Sequence, residues 1–288
     1  MNAPGTPSHK RSDRMVALIA LLNEQGQLPL SYLAETLDAS SATIRRDVAL
    51  LAAQGLLERT HGGARPIKGN RELPVRLRDG RNQETKRRIA RAAAALIPQG
   101  KHAIGLSGGT TTAEVLRALR NRDDLTIITN SLSIGLEAAE MGQGRVLIAG
   151  GVLRASSLEL VGSLAESTMK LVNVGTAVLG ADGASLEAGF TTHDEIEART
   201  NYAMIERAQR VIVAVDSSKL GQPTLAKMAD FSDVHVLVTD SDAPEDFLDA
   251  VRAAGVEVHL VEVDHSGDGG AQLRGRRNPR QALGLEGG

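Results

Sequence analysis

Hydrophobic positions recur at helical spacing over the first third of the chain and gather into short β-branched runs over the rest. Between residues 13 and 24, Met15, Val16, Leu18, Ile19 and Leu22 share one face, which predicts an amphipathic helix ended at Gly26. Ser31 is placed to cap a second, shorter helix carrying Leu33, Ala34 and Leu37. After the turn Asp38-Ala39-Ser40, a third helix takes Ser40 as its cap, buries Ile44, Val48 and Leu51, and stops at Gly55. Residues 57–60 and 64–67 bracket His61-Gly62-Gly63 and read as a two-stranded hairpin. Three helices with a tight second-to-third turn, then such a wing, make a winged helix-turn-helix over residues 11–68.

Beyond it the pattern changes. Residues 69–83 are polar, lack periodicity and carry Arg71, Arg76, Arg78 and Arg81, so a basic linker is expected there. From residue 84 to 263 helices alternate with strands. Helices are predicted at 84–97, 110–120 and 134–141. Strands are predicted at 102–106, 126–129, 146–149, 176–179, 211–215, 234–238 and 256–261. Continuous apolar strands separated by helices imply an α/β fold with a mostly parallel sheet covered on both faces. Residues 1–10 and 264–288 are rich in Gly, Pro or Arg, have no apolar period, and are expected to be disordered.

Composition narrows the class. The 288 residues allow two domains. The absence of cysteine excludes disulfides and thiolate metal sites and fits a reducing interior. Aromatics make up 2%, too few for the stacking platforms of RNA readers. No apolar run reaches the length of a membrane span, and the first 14 residues lack a signal-peptide core, so a soluble, cytoplasmic protein is expected. The seven histidines show no metal-ligand spacing, and no nucleophile–His–acid order stands out; no cofactor or metal is expected. His193 reads as a helix-start residue. The net charge of −2 hides an asymmetry. Residues 1–91 hold 16 Lys/Arg against 9 Asp/Glu (+7), and residues 92–288 hold 17 against 26 (−9). A basic front points to nucleic acid; unevenly charged solvated helices would give the same count.

Two segments carry the chemistry. The third helix opens with Ser41 and Thr43 as hydroxyl donors and continues with Arg45 and Arg46. Short side chains let a helix approach a major groove, and arginines reach phosphates or guanine edges. Arg59, His61 and Arg65 in the wing are placed for flanking phosphates or a minor groove. The alternative is a winged helix that binds only protein. The second segment is Ser107-Gly108-Gly109-Thr110-Thr111-Thr112, after a predicted strand and opening a predicted helix. Glycines let the backbone approach a ligand, and a helix N-terminus offers free N–H groups to an anion. It has neither the lysine of a nucleotide-binding P-loop nor the spacing of a dinucleotide fingerprint. A plain glycine turn with a threonine cap remains its bland reading. Asn130, Asp182 and Lys219 end further strands, and Glu195 starts a helix. Together these loops can converge on one phosphorylated, polyhydroxylated ligand at the carboxyl edge of a sheet.

The chain resembles the DeoR/GlpR family of bacterial transcription regulators over residues 12–262. The resemblance rests on Thr43-Ile44-Arg45-Arg46-Asp47, Leu51, Gly55, Leu57, Arg59 and His61-Gly62-Gly63-Ala64 in front. Behind, it rests on Lys86, Ile89-Ala90, Gly109-Thr110-Thr111, Thr129-Asn130-Ser131, Gly150-Gly151, Gly162, Gly180-Ala181-Asp182-Gly183, Gly189, Asp216 and Lys219. It implies a repressor whose second domain is similar to sugar-phosphate isomerases and senses a phosphorylated sugar or polyol. It also implies a homo-oligomer, dimer or tetramer, on double-stranded operator DNA. The family often carries an acid two positions before Gly-Thr-Thr; here that position is Ser107. The competing function is a sugar-phosphate isomerase with an accessory DNA-binding module, for which Asp182 or Glu195 would be the base.

Overall fold

The structure is a computed structural model that describes residues 7–67, 72–78, 82–142 and 144–263. Of the termini expected to be disordered, residues 1–6 and 264–288 lie outside the described residues. Residues 7–10 are helical instead, as the first turns of α1 (Pro7–Gln25).

The front unit continues with β1 (Leu28–Pro29), α2 (Leu30–Thr36), α3 (Ser41–Ala53), β2 (Leu57–Thr60) and β3 (Gly63–Pro66). Ser40 caps α3 as expected, its Oγ accepting from the Thr43 amide at 3.2 Å. Leu18, Leu22, Leu33, Ile44, Leu51 and Leu57 close the core with almost no exposure. The wing has three strands, ordered β1-β3-β2, not two. β1 is two residues long and offers no alternation to read.

The expected linker is structured over residues 72–78. It contains α4 (Val75–Arg78), whose Leu77 is buried in the front core. The Val75 amide donates to the Ser156 carbonyl of the rear unit at 2.8 Å. One turn of helix is too short for a helical period, and Leu73, Val75 and Leu77, spaced by two, do not mark it as a helix.

The rear unit runs α5 (Gln83–Ala95), β4 (His102–Leu106), α6 (Thr110–Ala118), β5 (Leu125–Thr129), α7 (Leu132–Glu140) and β6 (Arg145–Ile148). It continues with β7 (Val152–Arg154), β8 (Glu159–Val161), α8 (Ser163–Lys170), β9 (Val174–Leu179), β10 (Gly183–Ser185), β11 (Gly189–Thr192) and α9 (Glu195–Ile205). Last come β12 (Ala208–Ala214), β13 (Ala226–Ala229), β14 (Val236–Asp240), α10 (Glu245–Ala253) and β15 (Glu257–Val261). Seven strands form one parallel sheet in the order β15-β14-β12-β9-β4-β5-β6. They are the seven that the apolar runs predict. Val178, Ile212 and Val236 pack with α5, α6 and α7 on one face. Leu179, Val213 and Leu237 pack with α8, α9 and α10 on the other. Both sides of each inner strand are therefore apolar, which is why the runs are continuous instead of alternating.

The chain enters the sheet at β4, proceeds outward through β5 and β6, then returns to β9 and proceeds the other way. The connections after β4 and β9 diverge, which opens a crevice at their carboxyl ends. The short ribbons β7–β8 and β10–β11–β13 are antiparallel additions to this core. Residues of β8 and β11 reach the crevice.

Candidate functional site

On the front unit, Ser41, Arg45 and Arg46 are exposed on α3, and Thr43 is half-buried with its Oγ1 2.9 Å from Ser40 Oγ. Neither Arg45 nor Arg46 has an ion-pair partner among the described residues. Arg59 and His61 are exposed on the wing. Arg65 is exposed too, but its Nε donates to Glu58 Oε2 at 2.7 Å, because the two residues face each other across β2 and β3. Asp47, next to the two arginines, turns the other way. It is 1% exposed and accepts from Arg14 Nε at 2.8 Å and Arg11 Nε at 3.3 Å. It falls on the Ile44–Val48–Leu51 stripe, so helical spacing marks it as inward-facing. Sequence reading does not supply its partners.

In the rear unit, a cavity of about 500 Å³ occupies the crevice. Its floor is the loop from β4 into α6. Gly109, at φ +124°, is the N-cap of α6 and has no side chain to occupy the first-turn amides. Thr110, Thr111 and Thr112 line the cavity beside it, although Thr112 Oγ1 is committed to the Gly109 carbonyl at 3.0 Å. Lys219 enters from the turn after β12, a turn tied by Asp216, which accepts from the Ser218 amide. Lys86 of α5 also lines the wall, buried, with its Nζ donating to the Arg78 carbonyl at 2.9 Å. A helix N-terminus with two lysines is a place for an anion.

The opposite wall is a network of acids and arginines. Asp182 lines the cavity and accepts from Arg78 Nη1 at 2.6 Å. Arg78 Nη2 donates to Glu72 Oε1 at 3.0 Å, and Glu72 also takes both terminal nitrogens of Arg154. Arg154 in turn reaches Glu197 Oε2 at 3.0 Å and Asp194 Oδ2 at 3.2 Å. Glu197 and Glu159 both line the cavity and are buried. Burial first, then the charge of Glu159, pushes the Glu197 carboxyl up to about 10, and burial also raises Glu159. His193 lines the cavity as well, and burial lowers its pKa.

Three expected ligand contacts lie off the cavity wall. Ser107 is buried behind the loop, where its Oγ accepts from the Gly180 amide and donates to the Gly108 carbonyl. It ties the β4 and β9 loops together. Asn130 is fully buried, and its Nδ2 holds Asn201 Oδ1 at 3.1 Å; Asn201, not Asn130, faces the cavity. Glu195 is exposed at the start of α9, and Glu197, two residues on, takes the inward position because a helix turns by about 100° per residue. Gly108, Gly109, Thr110, Thr111, Thr112, Asp182 and Lys219 come together as expected. Cavity residues that were not expected include Arg78, Lys86, Ser157, Glu159, Glu197 and Asn201. Arg78 falls in the segment whose polarity predicts a linker, and Glu159 sits on a three-residue strand with no local signal.

Residues 14–69 match the DeoR-like helix-turn-helix domain, and residues 81–241 match the DeoR C-terminal sensor domain. The putative aga operon transcriptional repressor of Escherichia coli O157:H7 is 36% identical, over 87% of this chain and 94% of its own. The regulator GlpR of Haloferax volcanii is 34% identical, over 86% and 96%. The glycerol-3-phosphate regulon repressor of E. coli K12 is 31% identical, over 87% and 99%. Among solved structures, a ribose 5-phosphate isomerase of Methanocaldococcus jannaschii superposes with a TM-score of 0.37 at 20% identity, over 48% of this chain and 55% of its own. That likeness is too slight to bear on function.

Proposed function

Because the chain belongs to the DeoR family of transcriptional regulators, we propose that it represses a carbohydrate-catabolic operon and that a phosphorylated sugar or polyol controls its hold on operator DNA. The isomerase alternative is set aside, since relatives matched over nearly their full lengths are named as repressors. Residues 11–68 read double-stranded DNA through Ser41, Thr43, Arg45 and Arg46 in the major groove. Arg59, His61 and Arg65 of the wing hold flanking backbone. Two copies of the chain, or four, set two such helices on a repeated or palindromic site. The protein acts in the cytoplasm; among the described residues no helix is long and apolar enough to cross a membrane.

Residues 84–263 hold the effector. Its phosphate lies against the amides of α6 and Lys219, and its hydroxyls face the acidic wall. The name of one relative, a glycerol-3-phosphate regulon repressor, supports a small phosphate ester. The observation that carries the reading is the segment 72–78. Its Leu77 is buried in the core of the DNA-binding unit while its Arg78 lines the ligand cavity. A ligand that favours one arrangement of Arg78 thereby favours one setting of the DNA-binding unit.

The test is fluorescence anisotropy on DNA from the flanks of the protein's own gene, with and without a panel of phosphate esters. Arg45→Ala should lose about five- to 150-fold in specific affinity while its circular dichroism stays that of the wild type, since a bidentate arginine–guanine contact is worth about 1–3 kcal/mol. Thr110→Ala combined with Lys219→Ala should bind DNA normally and ignore the esters. An Arg45→Ala protein with wild-type affinity overturns the helix assignment, and a cradle variant that still responds overturns the pocket.

A further inference from the structure

Glu159 lies across the floor of the cavity. Its Oε1 accepts from the Gly108 amide at 2.5 Å, and an added Cβ at Gly108 would stand 2.5 Å from Glu159 Cγ. Glycine at 108 is thus what lets this side chain lie over the loop. Ser107, at the position where the family resemblance leads one to expect an acid, contributes only a hydroxyl turned away from the cavity. Glu159 brings a carboxylate to the same loop from a different strand. Its Oε2 meets no hydrogen-bond donor among the described residues. Ser157 Oγ, on the same wall and 5% exposed, has no partner at all among the described residues. Two buried polar atoms aimed into a cavity are costly unless a ligand or water meets them.

We propose that Glu159, with Ser157 and Glu197, is the specificity determinant of the effector site: it reads a hydroxyl of the ligand and rejects any ligand whose far end is anionic. This rests on the phosphate-ester reading above. A hydroxyl donates to Glu159 and accepts from Ser157, which gives both unpartnered atoms a partner. A carboxylate or second phosphate there would lie against Glu159 and Glu197, with Asp182 on the same cavity wall. The effector is therefore a monophosphate whose other end is an uncharged polyol, not a sugar-acid phosphate or a bisphosphate. A site built to hydrogen-bond a hydroxyl discriminates strongly because a wrong ligand leaves buried polar groups unpaired.

The experiment is isothermal titration of the full-length protein with matched pairs: glycerol 3-phosphate against 3-phosphoglycerate, glucose 6-phosphate against 6-phosphogluconate, and fructose 6-phosphate against fructose 1,6-bisphosphate. For whichever neutral-ended ester binds, the acidic counterpart should bind at least a hundredfold more weakly. Glu159→Gln should narrow that gap to less than tenfold by weakening the neutral ester and admitting the acidic one. Ser157→Ala, which touches none of the arginine network, should weaken the neutral ester about tenfold and serves if Glu159→Gln does not fold. Equal affinity within a pair, or a gap unchanged in Glu159→Gln and no loss in Ser157→Ala, overturns the proposal while leaving the phosphate-ester reading intact. If no ester binds, both fall together.

Discussion

Glu197 is buried between two opposed influences, the carboxyl of Glu159 and the guanidinium of Arg154 at 3.0 Å. Burial and the neighbouring acid prevail, so the folded protein holds a proton that the unfolded chain releases above the ordinary carboxylate range. The folded state thus binds more protons than the unfolded state between that range and about 10. Stability must fall as pH rises through this window, by at most about 1.4 kcal/mol per pH unit. Glu197→Gln, which has no proton to lose, should flatten that decline. Thermal melts of the two proteins from pH 6 to 9 measure it, and parallel slopes would show that Glu197 is ionised after all. At this scale the sequence is only partly legible. It marks Gly109, Thr110, Asp182 and Lys219 because each follows a readable strand. It cannot say which of Glu195 and Glu197 faces inward, since α9 is buried on several sides and offers no clean stripe.

α3 is the element on which DNA reading depends, and its exposed arginines stand next to a buried acid. Asp47 joins α3 to α1 through Arg14 and Arg11, so the recognition helix is fixed in orientation by charge as well as by Ile44, Val48 and Leu51. Hydrogen bonds to charged groups are worth about 1.5–3 kcal/mol each, and solvent around Arg11 reduces its share. Asp47→Ala should therefore destabilise the front unit by about 1–3 kcal/mol and weaken DNA binding without removing any DNA contact. Differential scanning calorimetry together with the anisotropy assay separates these effects. A variant that melts as the wild type does would mean that the α1 contact is dispensable. The three helices of the front unit, α5, α6, α7 and the seven parallel strands were legible, whereas α8 and α10 were not expected. Nor were β1, α4, β7, β8, β10, β11 and β13, since two to four residues show no period and, unlike β2 and β3, they do not flank a readable glycine turn.

The whole molecule couples two units through a segment that belongs to both. Leu77 is part of the front core, and Arg78 bridges Asp182 of the cavity to Glu72, which continues to Arg154 and Glu197. Arg78→Ala should cut this chain of contacts while leaving the cradle and the recognition helix in place. Effector binding by titration and DNA binding by anisotropy should then both persist, with the effect of one on the other reduced at least tenfold, about 1.4 kcal/mol of coupling. An undiminished effector response would place transmission elsewhere. The sequence by itself determined the two units, the positions along the chain of the seven sheet-forming strands and the glycine–threonine loop. Those follow from periodicity and turn chemistry, which act between residues close along the chain. Only the tertiary structure decided which acids meet at the cavity and that an arginine of the apparent linker enters it. Arg78 and Asp182 are 104 positions apart, and Gly108 and Glu159 are 51 apart. Such pairs are set by how strands and short ribbons cross over the sheet, which no local pattern records.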